Sequence, residues 1–215
     1  MRVAPDGWPF IKIGFGLEAA LLVMWWAWGG GTVVLPALFA LVVVWLFVFF
    51  RDPEREGPRG DGLVIAPADG RICSIAQVDE PVYLHQKATR ISIFMNVLNV
   101  HVNRYPVSGE IEIVHYNPGE FLVASTDKAS LVNEQASIGI LGPRGQVLVR
   151  QIAGFIARRI VTDAQPGERA EQGARLGMIR FGSRVDVFLD PRATVKVELH
   201  QAVYAGRTVI AELPA

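Results

Sequence analysis

A single cysteine, Cys73, in 215 residues leaves no partner for an internal disulfide and no thiolate set for a zinc site. It reads as a small buried hydrophobe. Charge of one sign is also missing, because 21 basic side chains face 21 acidic ones. Nucleic-acid binding needs a clustered basic surplus, so that partner class is set aside. Four histidines, His85, His101, His115 and His200, are scattered without ligand-like spacing, and a metal site has no support. The phosphate-cradling GxxxxGK(S/T), a dinucleotide GxGxxG after a strand, HExxH and the GxSxG nucleophile elbow are all lacking.

The N-terminal quarter is short of charge in a different way. Residues 1–50 carry only Arg2, Asp6, Lys12 and Glu18, and none of Asp, Glu, Lys or Arg occurs from Ala19 to Phe50. That run exceeds the ~20 residues one helix needs to cross a bilayer, and Gly29, Gly30 and Gly31 interrupt it. A transmembrane helical hairpin is expected over residues 1–50, with a first helix at about Ile13 to Trp28 and a cleaner second span at about Thr32 to Phe50. Trp25, Trp26 and Trp28 beside the glycine turn suit a membrane interface. A cleaved signal peptide would have a shorter apolar core, and a half-buried soluble helix would show a polar stripe. Arg2 and Lys12 before the hairpin, with Arg51, Arg55 and Arg59 after it, put both ends on the cytoplasmic face of the inner membrane.

Residues 51–62 hold prolines, glycines and alternating charge, as an exposed linker would. From Leu63 the pattern changes to short apolar runs with period-two alternation, such as Val185, Val187 and Leu189, or Val195, Val197 and Leu199. Turn signals separate them, among them Asp69-Gly70, Ser108-Gly109, Gly142-Pro143, Asp190-Pro191 and Ala205-Gly206. A mainly β domain over 63–215 follows, an antiparallel sandwich or barrel-like body. One short helix is expected around Phe155 to Ile160.

One segment of that body has unusual chemical potential. In Arg180-Phe181-Gly182-Ser183-Arg184-Val185-Asp186, a Gly-Ser pair stands between two strand-like runs. Glycine permits backbone conformations that other residues resist, and these can bring a serine hydroxyl against the preceding carbonyl carbon. Attack there turns the amide into an ester. Loss of the Ser183 α-proton then expels that ester and breaks the chain. Gly-Ser alone is equally at home in a plain turn.

Met178 to Asp186 together with Phe50-Arg51-Asp52-Pro53, Ala66-Pro67-Ala68-Asp69-Gly70, the stretch Asn96 to Gly109 and the stretch Gln151 to Val161 closely resembles the short, membrane-anchored form of phosphatidylserine decarboxylase. The resemblance runs in order from about Phe50 to the C-terminus. It implies a proenzyme that cleaves itself between Gly182 and Ser183. The products would be a large chain, 1–182, and a small chain, 183–215, which begins with a covalent pyruvoyl group made from Ser183. It also implies the catalytic set Asp69, His101 and Ser183, with Asp69 orienting the histidine and His101 acting as general base. Longer relatives carry two histidines three positions apart where this chain has His101 and Arg104, so the duties of both would fall on His101.

The reaction implied is decarboxylation of phosphatidylserine to phosphatidylethanolamine, with the pyruvoyl carbonyl as electron sink in place of pyridoxal phosphate. Arg104 and Arg180, with Arg158 and Arg159 as further candidates, could take the lipid phosphate, and Phe121 and Leu122 could form an apolar lip. Expected partners are membrane lipid, the two cleaved chains for each other, and a possible second copy. A non-catalytic membrane-anchored β module and a hydrolase using uncleaved Ser183 remain as rival readings.

Overall fold

A computed structural model describes residues 2–31, 33–119, 133–154, 159–180 and 183–215. The chain divides into two compact units, Met1–Glu54 and Arg55–Ala215.

In the first unit, β1 (Arg2–Val3) leads through a short turn into α1 (Trp8–Ala27), and α2 (Val34–Phe49) returns to β2 (Arg51–Asp52). Pro9 lies in the first turn of α1, where a missing amide hydrogen breaks no helical bond. Gly29 and Gly30 take φ of +82° and +64°, a left-handed conformation that reverses the chain, and Trp25 Nε1 donates to the Gly31 carbonyl at 3.1 Å across the turn. Gly14 faces Val43 and Leu46 at distances that leave little room for a side chain. β1 pairs antiparallel with β2, Arg2 opposite Asp52 and Val3 opposite Arg51, so the two ends of the hairpin are tied together.

The relative merit of the two spans differs from expectation. Pro5–Ala27 is the stretch long and apolar enough to cross a membrane, and only 11 % of its most apolar window is buried. The helix begins at Trp8 and takes in Lys12, which the sequence reading left outside. α2 is more apolar, but its 16 residues make a rod of only about 24 Å against a hydrocarbon core of about 30 Å. Its N-terminal end forms at Val34, two residues later than expected.

The second unit is built from strands: β3 (Leu63–Ile65), β4 (Gly70–Glu80), β5 (Gln86–Met95), β6 (Val102–Arg104), β7 (Gly109–Asn117), β8 (Gln135–Gly142), β9 (Gly145–Ala153), β10 (Ile160–Thr162), β11 (Arg169–Ala170), β12 (Arg175–Ile179), β13 (Ser183–Leu189), β14 (Thr194–Val195), β15 (Ala202–Val203) and β16 (Val209–Glu212). Eight of them form one sheet, in the order β11-β7-β8-β9-β13-β5-β4-β15, curled into an antiparallel half-barrel. Two smaller sheets, β10-β12-β6 and β14-β16-β3, accompany it. The barrel-like antiparallel body read from the alternation is therefore present.

β13 sits between β5 and β9 and is buried along its whole length. Val185, Val187 and Leu189 enter the main core with Ile91, Ile93 and Val149, as the period of two requires. On the opposite face Phe188 packs with Tyr83, Leu84, Ala88 and Leu148 in a smaller cluster. The alternation Val195, Val197, Leu199 holds only in part. β14 ends at Val195, and Leu199 is exposed before His200, which turns the chain at φ +67° and donates its amide to the Ile72 carbonyl at 2.8 Å. The helix expected at Phe155 to Ile160 falls largely outside the described residues, and Ile160 itself opens β10.

Residues 55–62 are not a loose tether. Arg59 donates to the Gly206 carbonyl at 2.8 Å and the Gly60 amide to Gln172 Oε1 at 2.9 Å. A Cβ on Gly57 would stand 2.5 Å from the Gly206 oxygen, so this segment lies directly on the β domain.

Candidate active site

Backbone register brings three segments of separate sequence to one corner of the domain. Ser183 opens β13, opposite Met95 at the end of β5 and Ala153 at the end of β9. β6 pairs with β12, and just ahead of it the His101 carbonyl accepts the Ile179 amide, four residues before Ser183. The Arg104 amide in turn donates to Pro67, two residues before Asp69, at 2.9 Å. The Asp69-Gly70 turn is pressed close, because a Cβ on Gly70 would lie 2.2 Å from the Phe94 carbonyl oxygen, next to Met95. Only glycine allows that approach. Gly182, the other half of the expected cleavage pair, lies outside the described residues, as do Arg158, Phe121 and Leu122.

The side chains here are deeply buried. Ser183 and His101 are 0 % exposed and Asp69 is 5 % exposed. Ser183 Oγ donates to the Met95 thioether sulfur at 3.4 Å, a weak acceptor. His101 Nδ1 lies 3.0 Å from the Asn99 carbonyl. A carbonyl only accepts, so Nδ1 carries the hydrogen, which leaves Nε2 as the nitrogen able to exchange a proton. The Asp69 carboxylate takes Arg55 Nη2 at 2.6 Å on one oxygen and the Ala205 amide at 2.8 Å on the other. The contact at Nδ1 thus comes from a main-chain carbonyl, while Asp69 is engaged by a cation that sequence reasoning had assigned to the linker.

The other expected residues are placed less centrally. Arg104 is half-buried and donates to the Gly173 carbonyl at 3.0 Å. Arg180 is half-buried, and its amide donates to the Arg159 carbonyl at 3.3 Å. Arg159 is exposed, as are His85, His115 and His200, which leaves His101 as the buried histidine of the four. Cys73 is partly buried. Burial pushes its thiol up, partly offset by the Arg184 charge, which favours the protonated form.

Four residues of this corner escaped the sequence reading. Arg55 holds Asp69, Met95 receives Ser183, Asn103 Nδ2 approaches the same sulfur at 3.7 Å, and Gln151 Nε2 donates to Asn103 Oδ1 at 2.8 Å. Asn103 and Gln151 stood within the stretches that carried the family resemblance. Nothing in their spacing sets them apart from ordinary strand residues.

A half-barrel domain that buries Ser183, His101 and Asp69 where three of its segments meet has a nucleophile, a base and an acid suited to enzyme chemistry. Comparison with known proteins agrees. The family model described as phosphatidylserine decarboxylase matches residues 43–211. A protein of Symbiobacterium thermophilum named phosphatidylserine decarboxylase proenzyme is 46 % identical over 213 residues, covering 99 % of this chain and 96 % of its own. One of the same name from Nitrosomonas europaea is 49 % identical over 214 residues, covering 98 % and 94 %. The chain belongs to the phosphatidylserine decarboxylase family and is a decarboxylase.

Proposed function

We propose that this chain is a self-processing proenzyme that decarboxylates phosphatidylserine to phosphatidylethanolamine at the membrane surface. The observation that carries the reading is Ser183 at the buried head of β13, its hydroxyl opposed only by the Met95 sulfur among the described contacts. A hydroxyl bound to a thioether loses little when it departs.

Processing begins with Ser183 Oγ attacking the carbonyl carbon of Gly182. Its proton passes through His101 Nε2 to the amide nitrogen, and an ester replaces the peptide bond. Removal of the Ser183 α-proton sends the Cβ–Oγ electron pair out with the new C-terminal carboxylate of residue 182. The dehydroalanine left behind takes up water and releases ammonia, giving the pyruvoyl group. Asp69, locked by Arg55 and the Ala205 amide, serves as the fixed negative charge that stabilises the imidazolium.

The apolar sulfur of Met95 and the buried end of β13 suit a residue that trades its hydroxyl for a methyl group. The pyruvoyl group supplies an electrophilic carbonyl that accepts the substrate amine and the electrons left when carbon dioxide departs. His101 returns a proton to the substrate α-carbon from Nε2, the nitrogen that its Asn99 contact leaves basic. Arg104 and Arg180 are the cations offered to the lipid phosphate.

Intact-mass analysis of the purified full chain is the test. Two chains are expected, the smaller starting at residue 183 with a carbonyl terminus, together with carbon dioxide release from phosphatidylserine in vesicles. Ser183→Ala is expected to stay as one band and to be inactive. An unbroken, active wild-type chain would overturn the proposal and favour the uncleaved serine.

A further inference from the structure

Beneath Ser183 lies a polar pair that the scheme above does not use. Asn103 on β6 and Gln151 on β9 are both 0 % exposed. Gln151 stands in register with Val185 and Ala136, two members of the main core, so its side chain is on the apolar face that also carries Ser183. Burying two primary amides among valines and isoleucines is unfavourable unless their donors and acceptors are matched.

Here the matching is incomplete. Gln151 Nε2 donates to Asn103 Oδ1 at 2.8 Å, a sound bond, but Gln151 Oε1 is buried without a hydrogen-bond partner. Asn103 Nδ2 has two hydrogens to give, and its acceptor is the Met95 sulfur at 3.7 Å. Ser183 Oγ approaches that same sulfur at 3.4 Å. A strong donor and the reacting hydroxyl therefore converge on one soft atom. Gln151 fixes which end of the Asn103 amide points there, since its own donor demands the Asn103 oxygen.

We propose that Asn103 is a catalytic donor in chain cleavage, and that Gln151 is the positioning residue that keeps its amide hydrogens turned toward Ser183. The inference rests on the reading of Gly182-Ser183 as the cleavage site. Asn103 Nδ2 acts on the oxygen that Ser183 gives up. As the Cβ–Oγ bond of the ester breaks, that oxygen becomes part of the residue-182 carboxylate and gains negative charge, and a preoriented donor stabilises it in a buried site. The α-proton goes to the base, the electron pair stays with the departing oxygen, and no other reactant enters this step.

The test follows cleavage of full-length chains made in a cell-free reaction with detergent micelles, sampled over time on denaturing gels. Each sample is also treated with hydroxylamine, which splits an ester but not a peptide bond. Asn103→Leu is expected to slow spontaneous cleavage by about 100-fold, as loss of a charge-stabilising donor does elsewhere, and to accumulate hydroxylamine-sensitive full-length chain. Gln151→Met, close in volume, is expected to slow it by about tenfold, the worth of one orienting hydrogen bond, with the same sensitive species.

Cleavage of Asn103→Leu at the parent rate would overturn the proposal. So would slowed cleavage without the ester species, since that marks a structural role. A wild-type chain that never cleaves would instead overturn the reading of Gly182-Ser183 beneath it.

Discussion

Asp69 is nearly closed off from solvent, and Arg55 meets it at 2.6 Å with its own side chain only 9 % exposed. Such a pair adds little to stability when compared with apolar residues of the same shape, because both charges were taken out of water. Breaking it is another matter. Arg55→Leu leaves a buried carboxylate with the Ala205 amide as its remaining described donor, and is expected to destabilise the fold by about 3–5 kcal/mol. Denaturant unfolding of the Ser183→Ala chain measures this without interference from cleavage. Arg55→Lys should recover part of the loss, since an ammonium keeps the charge but not the geometry of the guanidinium. The pairing was not legible in the sequence. Asp69 and Arg55 stand fourteen positions apart across a turn-rich segment, and Arg55 also fitted the basic flank of a membrane hairpin.

Glu80 shows how a single element is held in place. It closes β4, and one of its oxygens takes the amides of Tyr83 and Leu84 at 2.8 and 3.0 Å, while Arg150 binds the other at 2.8 Å. Burial alone would push this carboxyl up, but those amides, that of Val82 and the Arg150 charge outweigh it and hold it below the ordinary carboxylate range. The turn so fixed carries Tyr83 and Leu84 onto Phe188, and Arg150 lies over the Phe188 ring at 4.7 Å. The strand that begins with Ser183 is therefore supported on its outer face by a charged cap. Because the folded value is depressed, the stabilisation is complete above the unfolded value near 4.5 and is lost as pH falls through the folded one. Glu80→Gln is expected to destabilise the fold by about 1–3 kcal/mol at neutral pH, with the gap to wild type closing on acidification. Chemical denaturation of both chains from pH 7 downward checks it.

At the scale of the whole molecule, two units of opposite character share one chain. The first exposes a row of large apolar side chains, including Phe15, Leu17, Val23, Trp26, Leu35 and Leu41, and its two ends are joined by the short β1–β2 ribbon. A helical hairpin closed at its base is expected to return the chain to the side of the bilayer from which it entered. The full chain is accordingly expected to stay with the membrane pellet after alkaline carbonate washing. In sealed, right-side-out inner-membrane vesicles the C-terminal unit is expected to resist added protease until detergent is present. Digestion without detergent would refute the cytoplasmic orientation. A tethered domain meets a diacyl lipid at high effective concentration, which fits the proposed substrate.

Pattern along the chain was enough to reveal the apolar helical hairpin, its glycine reversal and the antiparallel β body, because long apolar helices and half-buried strands each impose a local length or period that the sequence displays. The motif resemblance likewise pointed to Asp69, His101 and Ser183. What tertiary structure decided was how these residues are dressed: Arg55 on Asp69, the Asn99 carbonyl on the His101 ring, and Met95, Asn103 and Gln151 gathered around Ser183. The Met95–Ser183 and Gln151–Asn103 contacts join strand residues 88 and 48 positions apart in sequence through register and burial. Neither leaves a periodic trace, so an amide destined for the core reads the same along the chain as one facing water.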